Sequence, residues 1–143
     1  MKHLRAVKNE KATLVGRGVR VLMLNGGVDS AAEARVTELG GKVESEAELY
    51  TALAAMMDDP LGYGLFVMNT DAFGGIEAGL RAFQMLRAAD VRIPVILVGR
   101  ECGRQIFPEE RSAPIQLQAP LSMVSLRVGI EHALHDRVIW LAA

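Results

Sequence analysis

Three short apolar runs constrain this chain most: Val-Arg-Val-Leu-Met-Leu at 19–24, Gly-Leu-Phe-Val-Met at 64–68 and Ile-Pro-Val-Ile-Leu-Val at 93–98. Each is too short for a buried helix and rich enough in branched and long apolar side chains to be a strand covered on both faces. Helical patterns separate them. After 19–24 comes the turn Asn25-Gly-Gly-Val-Asp-Ser30, in which Asp29 or Ser30 can cap a helix carrying Ala32, Val36 and Leu39. Gly40-Gly41 stops that helix. A short strand at 42–44 follows, then a helix at 46–57 with Leu49, Leu53 and Met56 or Met57 on one stripe, ended by Asp58-Asp59-Pro60. Residues 76–88 put Ile76, Leu80, Phe83 and Leu86 on one face of a third helix. A fifth strand at 115–117 and a long helix at 121–142 complete the pattern. Five strands alternating with helices predict an α/β fold, an open doubly wound parallel sheet. Ligands of such sheets gather at the carboxyl ends of the strands, here Asn25/Gly26, Ser45, Asn69/Thr70, Gly99 and Ala119.

The rest of the composition narrows the function classes. A single domain at 19–143 is expected behind a basic arm at 1–18, because the first twenty residues hold Lys2, Arg5, Lys8, Lys11, Arg17 and Arg20 against one acid, Glu10. The net charge of −1 favours neither nucleic acid nor a membrane surface as partner. No apolar run approaches the roughly 18–20 residues of a bilayer span, and no signal-like segment opens the chain, so a soluble cytoplasmic protein is expected. The lone Cys102 excludes an internal disulfide and a multi-cysteine zinc site.

Two resemblances follow from specific residues. Asn25-Gly-Gly-Val-Asp-Ser30 is similar to the Ser-Gly-Gly-x-Asp-Ser loop of the ATP pyrophosphatases, whose backbone N–H groups grip the pyrophosphate of ATP. That match implies a small nucleotide-binding protein using residues 25–30, but it covers six residues only. The second resemblance spans about residues 19–135. Gly64-Leu-Phe-Val-Met-Asn-Thr-Asp-Ala-Phe-Gly-Gly, the helix ending in Leu86-Arg87 and Ile93-Pro-Val-Ile-Leu-Val98 together resemble the receiver domain of bacterial response regulators. The separations, 44 residues from Asn25 to Asn69 and 30 from Asn69 to Gly99, also fit that family. The resemblance implies a flavodoxin-like five-stranded sheet and a role in two-component phosphorelay signalling.

It also implies what the site should hold and what this chain lacks. Receivers carry a phosphoryl-accepting aspartate after the third strand, an acidic pair for magnesium after the first, a Ser/Thr after the fourth and a lysine before a proline after the fifth. The metal and the lysine neutralise the phosphoryl group in flight. On this sequence the acceptor falls at Asn69, the acidic pair at Asn25 and Gly26, the Ser/Thr at Gly99 (or Val98 with a one-residue slip) and the lysine at Ala119. None of these groups can do the chemistry, so the expectation is a degenerate pseudo-receiver: no enzyme, no cofactor, no metal. Asp71, two residues past Asn69, is read as a loop carboxylate or turn cap rather than a displaced acceptor. His132 and His135 on the last helix are read as solvated.

Function is then expected at protein surfaces. Gly103, Pro108 and several charges between residues 100 and 113 predict a shortened fourth helix, with room for one turn at 102–107. The last helix is extended, at about 1.5 Å per residue, and ends in Val138-Ile-Trp-Leu. Leu134, Val138, Ile139, Trp140 and Leu141 are the candidate interface, with Trp140 as anchor. A homodimer through this helix is the first expectation, and the tail folding back over its own core is the alternative; the partner could also be a histidine kinase, a response regulator or another signalling protein. A stand-alone domain with no output domain is expected.

Overall fold

The computed structural model describes residues 18–26, 31–101, 106–108, 113–119 and 122–142; the side chains of residues 31 and 136–142 lie outside this description. Strands β1 (Arg20–Leu24), β2 (Lys42–Glu46), β3 (Leu65–Asn69), β4 (Val95–Gly99) and β5 (Ile115–Gln118) form one parallel sheet in the order β2-β1-β3-β4-β5. Helices α1 (Ala31–Glu38), α2 (Leu49–Asp58), α3 (Ile76–Ala88) and α4 (Met123–Ala142) cover its faces, and a 3-10 turn, Thr70–Phe73, follows β3. The expected doubly wound α/β sheet is the observed one.

Alternation of side chains along each strand builds two apolar layers. Leu22, Leu24, Phe66, Met68 and Leu97 face α2 and α3, where they meet Leu53, Met56, Ala82, Phe83 and Leu86. Val21, Met23, Val67, Ile96, Val98 and Leu117 face the other way, onto Val36, Leu126, Ile130 and Ala133 of α1 and α4. Both faces of β3 and β4 are therefore dry, which is why those strands read as unbroken apolar runs. Close approach of α3 to the sheet depends on Gly79: a Cβ there would lie 2.6 Å from the Thr70 methyl and 3.0 Å from the Leu97 side chain.

The strand ends differ from expectation by one or two residues. β3 and β4 each run one residue further, so Asn69 and Gly99 close their strands instead of following them. β4 begins at Val95, since Pro94 cannot donate to the ladder. β2 continues to Glu46, paired with Leu24, so α2 begins at Leu49 rather than at residue 46. At the opposite end of the sheet, Arg20 bonds Glu44 at 2.8 Å and Asp59 at 3.1 Å while its guanidinium lies 4.2 Å from the Tyr63 ring centre. The Arg20 hydrogen bond, with the Tyr63 hydroxyl donating as well, holds the Glu44 carboxyl below its ordinary range.

Between β4 and β5 the described residues form no helical turn. Ile106 instead exchanges two hydrogen bonds with Gln116, at 2.8 and 2.9 Å, as an antiparallel bridge on the outer edge of β5. Phe107 packs onto the sheet's α4 side. His132 is half-buried, hydrogen-bonded through Nε2 to the Pro108 carbonyl and 6.1 Å from the Phe107 ring, so it is not the solvated side chain expected. Of the segment with room for a helical turn, 102–107, Ile106 pairs at the sheet edge and Phe107 packs on the sheet; residues 102–105, Cys102 among them, lie outside the described ones.

Candidate functional site

The carboxyl ends of the strands bring the five marked positions into one row. Leu24 pairs with Met68, Asn69 with Val98, and Gly99 with Gln118, so Asn25, Asn69, Gly99 and Ala119 succeed one another across the sheet. Asn25 is buried, and its backbone N–H donates to the Glu46 carbonyl at 3.1 Å. Asn69 ends β3, half-buried. Gly99 is buried, and its carbonyl accepts from the Ala119 N–H at 3.1 Å. Ala119 packs partly into the apolar layer beneath α4. The row offers amides, a methyl and bare backbone. No carboxylate, hydroxyl or ammonium stands at Asn25, Gly26, Asn69, Gly99 or Ala119; of the other marked residues, Ser45 lies inside β2 opposite Met23 and the Thr70 hydroxyl is bonded to the Val98 carbonyl.

Thr70–Phe73 occupies the space these positions leave, and nothing in the sequence reading anticipated it. Gly26 has φ +74°, a left-handed conformation, and a Cβ there would lie 2.6 Å from the Ala72 Cβ and 3.5 Å from the Phe73 ring. A Cβ at Gly99 would collide with the Thr70 hydroxyl oxygen. That hydroxyl is fully buried and donates to the Val98 carbonyl at 3.0 Å, so it is not free to swing aside. The turn ends in Gly74 at φ +102°, and its Thr70 carbonyl accepts from Gly75 N–H at 2.9 Å. Two of the glycines that stand where functional side chains were sought are therefore glycines for a packing reason: β1 and β4 end against this turn. The adjacent Gly74-Gly75 pair is the signal that could have revealed it, since two consecutive glycines right after a strand permit a turn that doubles back on the strand tips.

Asp71 points across to the next loop. Its two carboxylate oxygens both accept from the Arg100 N–H, each at 3.2 Å. Glu101 reaches back the other way, its carboxylate lying over Gly75 at the start of α3, where a Cβ would collide with it. Among the described residues, no three His, Cys, Asp or Glu side chains converge on a point. Of the ATP-loop resemblance only Asn25 and Gly26 are described; residues 27–30 lie outside.

The candidate interface divides. Leu134 is half-buried and packs onto the α4-facing layer, so it serves the fold. Val138, Ile139, Trp140 and Leu141 lie within α4, with side chains outside the described ones, as is the basic arm at residues 1–17. On the described part of α4 the outward apolar residues are Val124, 73% exposed, and Val128, 42% exposed. Beside Val124, Leu39, Met123 and the Glu38 and Arg127 side chains line a cavity of about 350 Å³ between α1 and α4. No helix among the described residues is long and apolar enough to cross a membrane.

No family model and no curated protein sequence matches the chain. Solved structures do. A response regulator receiver domain protein from Clostridium thermocellum superposes with a TM-score of 0.68 at 12% identity, over 85% of this chain and 98% of that one. The chain has the receiver fold. A receiver domain of a sensor histidine kinase from Pseudomonas aeruginosa, solved with magnesium coordinated in its active-site cleft, gives a TM-score of 0.63 at 17% identity over 82% of this chain and 98% of that one. The PhyR stress response regulator gives 0.58 at 23% identity, covering 94% of this chain and 52% of that regulator. The strand ends place Asn25, Gly26, Asn69, Gly99 and Ala119 along the carboxyl edge of the sheet, with Asn25, Gly26 and Asn69 at the switch point between β1 and β3 where doubly wound folds keep their ligands.

Proposed function

We propose that this receiver-fold domain works without phosphorylation, as a protein-binding module in two-component signalling in the cytoplasm, and is not an enzyme. The observation that carries this reading is the packing of Thr70–Phe73 against Gly26 and Gly99. Phosphoryl transfer to an aspartate depends on a divalent cation held by carboxylates and on charge neutralisation of the moving group. Here the positions that would supply those groups are neutral, and at two of them the space for a side chain is taken. Regulators and a kinase receiver among the structurally similar proteins support the signalling context. The test is incubation with acetyl phosphate and magnesium followed by intact-mass measurement. The mass is expected to stay unchanged; stable addition of one phosphoryl group would defeat the proposal.

Self-association through the last helix is part of the same reading. Val124 and Val128 continue outward along α4 towards the apolar Val138–Leu141 end of the sequence, and tryptophan is the residue type most enriched at interface anchors. Sedimentation of the wild type should show a dimer at micromolar concentration, and Trp140→Ala should shift it to monomer. An unchanged sedimentation coefficient in the variant would remove the C-terminal helix from the interface.

A further inference from the structure

We infer that Asp71 is a fixed latch, whose hold on the Arg100 amide keeps residues 70–75 and 99–101 in a single arrangement. The inference deepens the proposed function and rests on it, since it supplies a reason why a domain without phosphoryl chemistry would present one constant surface.

Three contacts join the same two loops from different directions. The Thr70 hydroxyl donates to the Val98 carbonyl at 3.0 Å, at the very tip of β4. Two residues past Val98, the Arg100 N–H is shared between both Asp71 oxygens, at 3.2 Å each. Glu101 then lies over Gly75, at the first turn of α3, where a negative charge favours the helix. Thr70, Asp71 and Gly75 thus face Val98, Arg100 and Glu101 in order, like two halves of a clasp. The β3 half is itself stiff: it is a 3-10 turn closed by Gly74 and Gly75, with Thr70 fully buried beneath it. Thr70 fastens strand tips that the sheet already holds. Asp71 takes the first amide past β4, that of the peptide whose Gly99 carbonyl accepts from Ala119 N–H at 3.1 Å, and a carboxylate–amide bond is stronger than a neutral one.

Amide hydrogen exchange and relaxation dispersion by NMR on wild type and Asp71→Ala read this out. In the wild type Arg100 N–H is expected to exchange slowly, with no μs–ms dispersion in residues 99–101. In Asp71→Ala its exchange should rise about tenfold, dispersion should appear at 70–75 and 99–101, and the buried Leu97 amide should keep its rate. Equal Arg100 rates in the two proteins would overturn the latch, as would a rise that moves Leu97 equally. Acetyl phosphate applied to both proteins separates the two ideas. Phosphoryl incorporation present in wild type and lost in Asp71→Ala would make Asp71 an acceptor and overturn the proposed function. Unchanged exchange without incorporation would overturn the latch alone.

Discussion

Replacing Gly26 with aspartate, which restores half of an acidic pair, is expected to destabilise the domain by about 2–5 kcal/mol and to create no magnesium site. Two costs add. At φ +74° a residue with a Cβ is strained, at roughly 1–2 kcal/mol. The new Cβ would also lie 2.6 Å from the Ala72 Cβ, and forcing atoms into a packed site typically costs about 1–3 kcal/mol. Neither cost is relieved by turning a side chain, because Ala72 has no rotamer to change. Urea denaturation at neutral pH measures the effect; stability equal to wild type would mean that the turn moves aside without penalty. If so, the space above β1 would be available to a ligand after all.

Gly99→Thr restores the hydroxyl position and should cost about 2–3 kcal/mol. Here the obstacle is the Thr70 hydroxyl. Thr70 is fully buried and bonded to the Val98 carbonyl, and its methyl packs where α3 comes closest, at Gly79. Moving it breaks that hydrogen bond or pushes α3 off the sheet. Thermal unfolding should show a melting temperature lower by several degrees, at about 2–4 °C per kcal/mol for chains of this size. A melting temperature within a degree of wild type would contradict the packing described for this site.

Both substitutions restore groups that the sequence shows to be missing, and both are expected to fail for a reason that it does not show. The strands were legible because their burial on two faces leaves unbroken apolar runs, as at Phe66-Val67-Met68 and Ile96-Leu97-Val98. The row Asn25, Asn69, Gly99, Ala119 was legible because a doubly wound sheet fixes which residues end its strands. β2 was read too short because Lys42–Glu46 lies on the sheet's edge, with exposed charged residues and no apolar run to mark its length. The Thr70–Phe73 turn was not legible because four residues carry no periodicity; its place is set by what it meets across the strand tips. The edge pairing of Ile106 with Gln116 escaped notice for a similar reason. It is one bridge, and a segment rich in Gly, Pro and charge reads as loop whether or not one residue in it pairs. His132 was read from its helix alone, whereas its environment comes from Phe107 and Pro108, more than twenty residues earlier.

The central claim is that neutral, sterically filled positions at the strand tips replace phosphate-receiving ones. Its most direct test is a magnesium titration followed by the amide NMR shifts of residues 24–26, 69–71 and 99–101. The account predicts no saturable change at millimolar magnesium, beyond the small uniform drift that ionic strength produces. Saturable shifts confined to those three segments would show a cation held at the strand tips, and would contradict it.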